Sequence, residues 1–240
     1  TNAWKFTTGN LAGVNWTASA YDDSAWSGPG PGLLWVDVRP TGPNPSVEPK
    51  NTEMPANPNN NGYPYTTYYF RSHFVLPDLI PGSSLSFSGY VDDGAVFYLN
   101  GTEVYRLRMP SRASGDNLAS GFPCEGDATC LDEFSIPAES LKSLVAGDNV
   151  LAVEVHNYNL RSADITFGMA LSRIEPLVRA APNLDIRSSS ATITLSWEGN
   201  GFVLQSANSP AGPWTNLEAA TASPVTVQAL QSSQYYRLRK

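Results

Sequence analysis

The stretch AVFYLNGTEVYRL (residues 95–107) decides the fold class of this chain. Residues 95–99 form an apolar and aromatic run, residues 102–107 form a second strand-like run, and Asn100-Gly101 separates the two. Both residues of an Asn-Gly pair tolerate a positive φ, which a two-residue hairpin turn requires. The sequence therefore predicts a β-hairpin at this point.

Strand-like patterns continue on both sides of this hairpin. In residues 66–77, Tyr68, Phe70, Ser72 and Phe74 alternate onto one face. A period of two, in short segments bounded by turn residues, is typical of β-sandwiches and jelly rolls. Helical spacing is found in residues 138–145, which predict one or two helical turns. We expect an all-β protein with further strands over residues 84–90, 149–155 and 165–172.

The last quarter of the sequence repeats the strand pattern on a smaller scale. Thr192–Trp197 alternates apolar and hydroxyl side chains, and shorter strand-like runs follow it up to Arg239. We expect a large jelly-roll domain over residues 1–174, a linker over 175–183 and a small β-module over 184–240. A module of this size has a marginal core. Its closing strand is therefore expected to pair, either inside the module or against another subunit.

A proline- and asparagine-rich insertion interrupts the first domain at residues 39–66. Its seven prolines prevent it from pairing as a central strand. Loops of this length in compact domains are usually functional or disordered. We expect the insertion to lie either on its own domain or on a neighbouring molecule.

Composition and cysteine content limit the function classes. The net charge is −7, and the sequence offers no basic surface for phosphate, which excludes nucleic-acid binding. No apolar run approaches the roughly 20 residues of a membrane span. Cys124 and Cys130 lie close together in a polar loop and are expected to form a disulfide, which indicates an oxidising, extracellular location. Two thiols without a nearby histidine do not make a zinc site.

An ordered series of motifs in residues 4–172 resembles a known domain family. The series consists of Trp16, DDSAW (22–26), YYFR (68–71), VDDGAVFYLNGTEVYR (91–106), GDNVLAVEVH (147–156) and SADITF (162–167). It resembles the galactose-binding-like jelly-roll domain that large secreted bacterial proteins carry as an appended module. The insertion at residues 39–66 departs from the family pattern.

Residues 184–240 resemble a second kind of module. The similarity rests on LSW (195–197), FVLQ (202–205), PW (213–214) and YYRL (235–238). These motifs are similar to those of small fibronectin- or immunoglobulin-like modules of bacterial surface proteins. The two resemblances imply a jelly-roll β-sandwich followed by a small immunoglobulin/fibronectin-like β-sandwich, and neither family is itself an enzyme.

Asp92 and Asp93 are the first candidate site. Neighbours in a strand point to opposite faces, so the pair is poorly placed for cooperating acid–base catalysis. One interpretation is a turn in which the carboxylates accept hydrogen bonds from the local backbone. The other is a calcium site in which Asp92 or Asp93 joins loop carbonyls and another carboxylate.

His156 and Asp164 are the second candidate site. A catalytic reading would make His156 a base oriented by Asp164. No serine or cysteine lies in the sequence context of a nucleophile, so we expect a structural histidine bonded to Asp164 or to the backbone. The chain is accordingly expected not to be an enzyme.

Aromatic side chains beside polar groups are the remaining candidates. Aromatic faces with nearby hydrogen-bonding groups serve glycan binding and also protein interfaces. The candidates for either role are Trp35, Tyr63, Tyr65, Tyr158, Arg106 and Asn157.

Two function hypotheses follow from these features. The first is a secreted structural protein that associates with copies of itself into an extracellular filament or surface layer through strand or arm contacts. The alternative is a carbohydrate-binding or adhesive module for extracellular glycans. Calcium is the one cofactor that the sequence suggests.

Overall fold

A computed structural model describes residues 3–111, 115–175, 182–217, 222–229 and 233–239. The chain divides into two compact units, Thr1–Pro176 and Leu177–Lys240. β-Strands make up nearly all of the regular secondary structure of both units, which confirms the predicted all-β sandwich class. Most of the linker expected at 175–183 lies outside the described residues.

The large unit contains eleven described strands. They are β1 (Ala3–Thr7), β2 (Ser27–Pro31), β3 (Leu34–Asp37), β4 (Thr52–Glu53), β5 (Thr67–Leu76), β6 (Ser84–Asp92), β7 (Gly94–Leu99), β8 (Thr102–Leu107), β9 (Asp132–Ile136), β10 (Gly147–His156) and β11 (Asp164–Ile174). Short 3-10 turns lie at Pro58–Asn60, Cys124–Gly126 and Ala138–Ser140. The helix expected over 138–145 is thus reduced to a single 3-10 turn, after which Leu141 is buried in the core.

These strands form two sheets that face each other. The six-stranded sheet has the order β2-β1-β5-β10-β7-β8, and the five-stranded sheet has the order β4-β3-β11-β6-β9. The chain changes sheet at each step from β5 to β6 to β7 and from β9 to β10 to β11, a connectivity compatible with a jelly roll. The β3–β4 pair is parallel, whereas the other described pairs are antiparallel.

The core lies between the two sheets and follows from the alternation in the sequence. Tyr68 and Phe70 of β5 point into it, as do Val153 and Val155 of β10. The hairpin between β7 and β8 is confirmed, because both turn residues have a positive φ, 47° at Asn100 and 88° at Gly101.

A stack of three aromatic rings crosses from one sheet to the other. Phe134 of β9 is stacked on Phe87 of β6 and on Tyr105 of β8, with ring centroids 4.8 and 3.8 Å apart. Since Tyr105 belongs to the six-stranded sheet and Phe134 to the five-stranded one, this stack closes one side of the sandwich.

The outer face of the six-stranded sheet is covered by the segment between β1 and β2. Trp16 and Trp26 pack there on Tyr69. Arg71, fully buried on the same face, donates from Nε to Asp23 Oδ2 at 2.8 Å and from Nη1 to the carbonyl oxygen of Ala18 at 3.1 Å. A buried charge needs such partners. This network fixes the covering segment against the sheet.

The proline-rich insertion packs on its own domain. Val47 and Met54 are buried, and Met54 belongs to the main core. Asn51 N donates to the Leu33 carbonyl at 3.0 Å, and the Tyr68 hydroxyl donates to the Pro55 carbonyl at 2.7 Å. The sequence left open whether the insertion lies on its own domain or on a neighbouring molecule. These contacts are with its own domain.

The small unit contains two three-stranded sheets. Its strands are β12 (Asp185–Ser188), β13 (Thr192–Ser196), β14 (Val203–Ala207), β15 (Thr215–Asn216), β16 (Val225–Gln228) and β17 (Tyr235–Arg239), in the orders β12-β13-β16 and β15-β14-β17. Leu195, Trp197 and Leu204 form its core. The closing strand β17 pairs with β14 inside the unit.

The described part of the chain holds no helix with the length and apolar character needed to cross a membrane.

Candidate metal centre

Three carboxylates meet at one end of the large unit. Asp92 is the last residue of β6, Asp164 is the first residue of β11, and Asp127 lies in the loop closed by the disulfide. One oxygen from each carboxylate lies within 4.8 Å of the other two. The sandwich therefore brings together acidic groups from distant parts of the sequence.

Asp92 is the unusual member of this cluster. Its side chain is 1% exposed, and neither of its carboxylate oxygens has a hydrogen-bond donor among the described residues. Leaving a buried charged group without a partner costs several kcal/mol, so such groups are normally paired or bound to a metal. Asp92 thus offers two oxygens to a ligand that carries positive charge.

The other two carboxylates have protein donors. Arg39, which follows β3, donates to Asp127 Oδ2 at 3.0 Å and to Asp164 Oδ2 at 3.3 Å. Asn44 Nδ2 donates to Asp127 Oδ2 at 2.6 Å. Both donors belong to the 39–66 insertion, which therefore supplies part of the site.

The pKa values of the three carboxyl groups differ because Asp127 and Asp164 have protein donors and Asp92 has none among the described residues. Burial, together with the charges of Asp164 and Asp93, raises the pKa of Asp92 far above its ordinary value. Burial and the hydrogen bond with Asp127 raise the pKa of Asp164 to about 7. Burial opposes the ionisation of Asp127 as well, but hydrogen bonds with Asp164, Arg39 and Asn44 keep its pKa below the ordinary value. Without a cation the cluster holds protons near neutral pH.

Asp93 has a separate role. Its Oδ2 accepts a hydrogen bond from the backbone N–H of Tyr158 at 2.6 Å, and its own N–H donates to the His156 carbonyl at 3.3 Å. The two interpretations of the Asp92-Asp93 pair therefore fall on different residues. Asp93 holds the local backbone as a turn residue does, whereas Asp92 faces the carboxylate cluster.

Asn157 lies between the two backbone contacts that Asp93 makes. It is 1% exposed, and its Oδ1 is a second buried acceptor without a donor among the described residues. Its backbone is held by hydrogen bonds with Thr66 and Ala119. Amide oxygens are among the ligand types that calcium accepts.

The donor set fits calcium better than a transition metal. Calcium takes six to eight oxygen ligands at 2.3–2.6 Å, so two of its ligands lie at most about 5 Å apart. The carboxylate separations in the cluster meet that limit. Zinc and copper prefer imidazole and thiolate ligands, and none of the described residues brings such a group into the cluster. Asp92, Asp127 and Asp164 would hold the ion, which would supply the positive charge that Asp92 lacks.

The disulfide joins Cys124 to Cys130 across a separation of six residues, with 6.0 Å between the two Cα atoms. The loop that it closes contains Asp127. The bridge therefore limits where this carboxylate can move.

His156 has a backbone partner. Its Nδ1 lies 2.7 Å from the carbonyl oxygen of Asn117 and 3.1 Å from Thr67 Oγ1. Of the two partners left open by the sequence, the backbone is the one found, and no hydrogen bond between His156 and Asp164 is present among the described residues. Asp164 instead begins β11 on the other sheet, where it accepts from Arg39.

The remaining sequence candidates have different surroundings. Trp35 is half-buried with the Lys50 ammonium 6.0 Å from its ring centroid. Arg106 Nε donates a hydrogen bond to Glu103 Oε1 at 2.6 Å. Tyr63 and Tyr65 are half-buried in the insertion, and Tyr65 packs edge-on against Tyr68.

Tyr158 is the candidate that combines exposure with a fixed position. Its side chain is 41% exposed and packs edge-on against Phe122, which is 54% exposed, with ring centroids 5.3 Å apart. The Tyr158 backbone is bonded to Asp93, and Phe122 lies two residues before Cys124. We call this pair the aromatic rim. It adjoins the two loops that also carry Asn157 and Asp127.

Sequence reasoning missed four residues of this region. Asp127, Phe122, Arg39 and Asn44 lie in loops, where no periodic pattern marks them. The signal that could have found Asp127 is the disulfide, since a short bridged loop limits where the carboxylate that it carries can move.

Comparison with known proteins gives matches to solved structures only. No family model and no curated protein matches the chain. Among solved structures, a glycosyl hydrolase family 2 member from Bacteroides cellulosilyticus matches with 14% identity and a TM-score of 0.44, over 98% of this chain and 29% of that one. The beta-glucuronidase of Bacteroides uniformis matches with 16% identity and a TM-score of 0.41, over 99% and 26%.

A beta-glycosidase from Bacteroides vulgatus matches with 14% identity and a TM-score of 0.40, over 99% of this chain and 31% of that one. The chain thus spans less than a third of each of these proteins. Likeness at these TM-scores supports no inference from their activities to this chain.

Proposed function

We propose that the large unit is a non-catalytic, calcium-binding module that recognises glycans outside the cell. The observation that carries the proposal is Asp92, a buried carboxylate with two unpaired oxygens beside two further carboxylates. A cation there would neutralise the charge and tie β6, β11 and the disulfide loop together. The disulfide supports an oxidising, extracellular location.

The aromatic rim supports glycans as the ligand. The C–H faces of sugar rings pack on aromatic side chains, and exposed aromatics held in place bind at a low entropic cost. Phe122 and Tyr158 are exposed but fixed by the loops that carry them. A calcium ion at the carboxylate cluster would order those same loops, which couples cation binding to the shape of the rim.

Self-association into a filament has less support. The hypothesis drew on the ordered insertion and on the closing strand of the small unit. The insertion packs on its own domain through Met54, and β17 pairs with β14 within its unit. Both features are explained without a second copy of the chain, so glycan recognition is the stronger proposal.

Calcium titration tests the cation part of the proposal. We expect calcium to bind the wild-type protein in isothermal titration calorimetry and not to bind Asp92→Asn, because the amide cannot supply a charged oxygen pair. Asp185→Asn is the matched control, since Asp185 is an exposed aspartate of the small unit. Equal calcium affinities of wild type and Asp92→Asn would contradict the assignment.

Glycan binding tests the recognition part. We expect binding to some members of a glycan array, lost in the double variant Phe122→Ala/Tyr158→Ala. Val75→Ala serves as the control, because Val75 is an exposed apolar residue near the C-terminal end of β5. A wild-type protein that binds no glycan in the presence of millimolar calcium would rule out glycan recognition.

A further inference from the structure

A polar cleft lies on the large unit beside the start of β5. It has a volume of about 210 Å³ and is lined by residues from four segments of the chain. Thr8 and Asn10 follow β1, Asn57 and Tyr65 belong to the insertion, and Asp116 lies in the segment before β9. Ordinary ligand pockets measure roughly 300–1,000 Å³. This cleft therefore suits one small ring of a larger ligand.

The floor of the cleft comes from β5. Thr67 and Tyr69 point to the same outer face of the sheet, because residues two apart share a face. The Tyr69 ring is held edge-on by Trp16, with centroids 5.0 Å apart. Gly115 lies directly over the Tyr69 hydroxyl, where the Cβ of any other residue would collide with it. The glycine thus allows the segment that carries Asp116 to pack closely on the floor of the cleft.

Burial keeps that hydroxyl a hydrogen-bond donor. It raises the pKa of Tyr69 to about 12, and the charges of Glu154 and Asp116 act in the same direction. The group therefore stays protonated across the physiological range.

The walls supply amide groups with fixed orientation. Asn57 Oδ1 accepts from Asn59 N at 3.0 Å, and Asn10 Oδ1 accepts from Ala12 N at 2.9 Å. With the oxygens occupied by turns, the amide nitrogens are left to donate to a ligand. Within the described part of the chain, no acceptor is recorded for either nitrogen.

The cleft also has one acceptor and one aromatic face. Asp116 is an exposed carboxylate without an ion-pair partner among the described residues, and a carboxylate can accept hydrogen bonds from two adjacent hydroxyls. Tyr65 is fixed edge-on against Tyr68 at a centroid distance of 5.9 Å. No lysine, arginine or histidine is found among the described residues of the lining. Among the lining residues that the structure describes, Asp116 is thus the one charged group that an anionic ring would meet.

We propose that this cleft is a subsite for one uncharged sugar residue, separate from the aromatic rim. Amide donors, hydroxyl groups, a carboxylate acceptor and a tyrosine ring match the hydroxyls and the C–H face of such a ring. The inference rests on the proposed glycan recognition and adds to it both a second contact point and a charge preference.

Binding of uncharged and uronic-acid oligosaccharides to wild type, Asp116→Ala and Thr8→Val tests the subsite. We expect wild type to prefer the uncharged oligosaccharides. Asp116→Ala should bind them about tenfold or more weakly, since a hydrogen bond to a charged group is lost, and its preference against uronic acids should shrink. Thr8→Val, which removes one hydroxyl at constant shape, should weaken binding by a smaller factor.

Asp185→Ala, in the small unit, is the control and should bind like wild type. Thermal midpoints of all variants establish that the fold is intact. Wild-type affinities for uncharged sugars in Asp116→Ala and Thr8→Val, with loss only in Phe122→Ala/Tyr158→Ala, would overturn the subsite and leave the proposed function standing. Preference of wild type for uronic acids would overturn the charge preference. Failure of wild type to bind any glycan would overturn both proposals.

Discussion

At the scale of single residues, Asp92 has the clearest consequence for stability. In the absence of a cation its carboxyl group is buried without a donor, and a protein normally avoids this arrangement. A cation removes the problem only if the side chain is a carboxylate. The same substitution should therefore act in opposite directions with and without calcium.

We expect calcium to raise the thermal midpoint of wild type and to leave that of Asp92→Asn unchanged. A ligand at 100 times its Kd stabilises the folded state by about 2.7 kcal/mol, which raises the midpoint by several degrees. Without calcium, Asp92→Asn should be at least as stable as wild type at pH 7, because the amide is neutral in both states, whereas wild-type Asp92 must take up a proton when it is buried. Differential scanning calorimetry with calcium and with a chelator measures both effects. If Asp92→Asn were less stable than wild type under chelation, the Asp92 carboxyl group would not be an unpaired group that destabilises the fold.

The raised pKa of Asp164 gives a pH prediction. The folded state holds a proton on Asp164 up to about pH 7, whereas the unfolded state loses it near pH 4. Between these values the folded state binds more protons, so stability falls as pH rises. Asp23, Asp37 and Asp127 have lowered pKa values and act below this window.

Thermal midpoints of the calcium-free protein should accordingly decrease from pH 4.5 to pH 7.5. Saturating calcium should flatten or reverse this decrease, because it binds the ionised carboxylates. A calcium-free midpoint that rises over the same interval would contradict the proton-holding cluster.

At the scale of elements, the disulfide loop links stability to the metal centre. A disulfide lowers the conformational entropy of the unfolded chain, and for so short a loop this stabilises the fold by roughly 2 kcal/mol. The loop also carries Asp127 and lies next to Phe122. We expect Cys124→Ser/Cys130→Ser to lower the free energy of unfolding modestly and calcium affinity more strongly. Urea unfolding and calorimetric titration of the same double variant separate the two effects, and unchanged calcium affinity would show that the bridge does not position Asp127.

The insertion at residues 39–66 should behave as part of the sandwich. Met54 is buried in the main core, so Met54→Ala should cost about 2–5 kcal/mol. Glu53→Ala, an exposed neighbour, should change stability by less than about 0.5 kcal/mol. Urea unfolding compares the two. Equal, small effects would mean that the insertion does not contribute to the core.

The sequence predicted elements well where local chemistry decides them. The Asn100-Gly101 hairpin and the alternation of β5 depend on neighbours in the chain, and both are found. The metal centre depends on contacts between residues more than 30 positions apart in sequence, such as Asp92 and Asp127. Asp92 could be proposed from its motif, but its partners could not, because sheet order determines which loops meet. Of the one or two helical turns predicted over 138–145, the structure has one short 3-10 turn at Ala138–Ser140, and Leu141 directly after it is buried in the core.

At the scale of the whole molecule, the proposed function predicts a protein that stays monomeric. The insertion and β17 have their partners within the chain. We expect sedimentation velocity to show a single species of 25.9 kDa across the micromolar to hundred-micromolar range. A boundary that moves faster with increasing concentration would instead favour self-association.

The ring stack of Phe87, Phe134 and Tyr105 has a consequence for how this molecule tolerates mutation. It closes one side of the sandwich through packing between strands, so the framework does not depend on the side chains of the aromatic rim. Substitutions at Phe122 and Tyr158 are then free to accumulate without loss of folding. A library randomised at the rim should yield mostly folded proteins, from which new specificities can be selected on an unchanged scaffold.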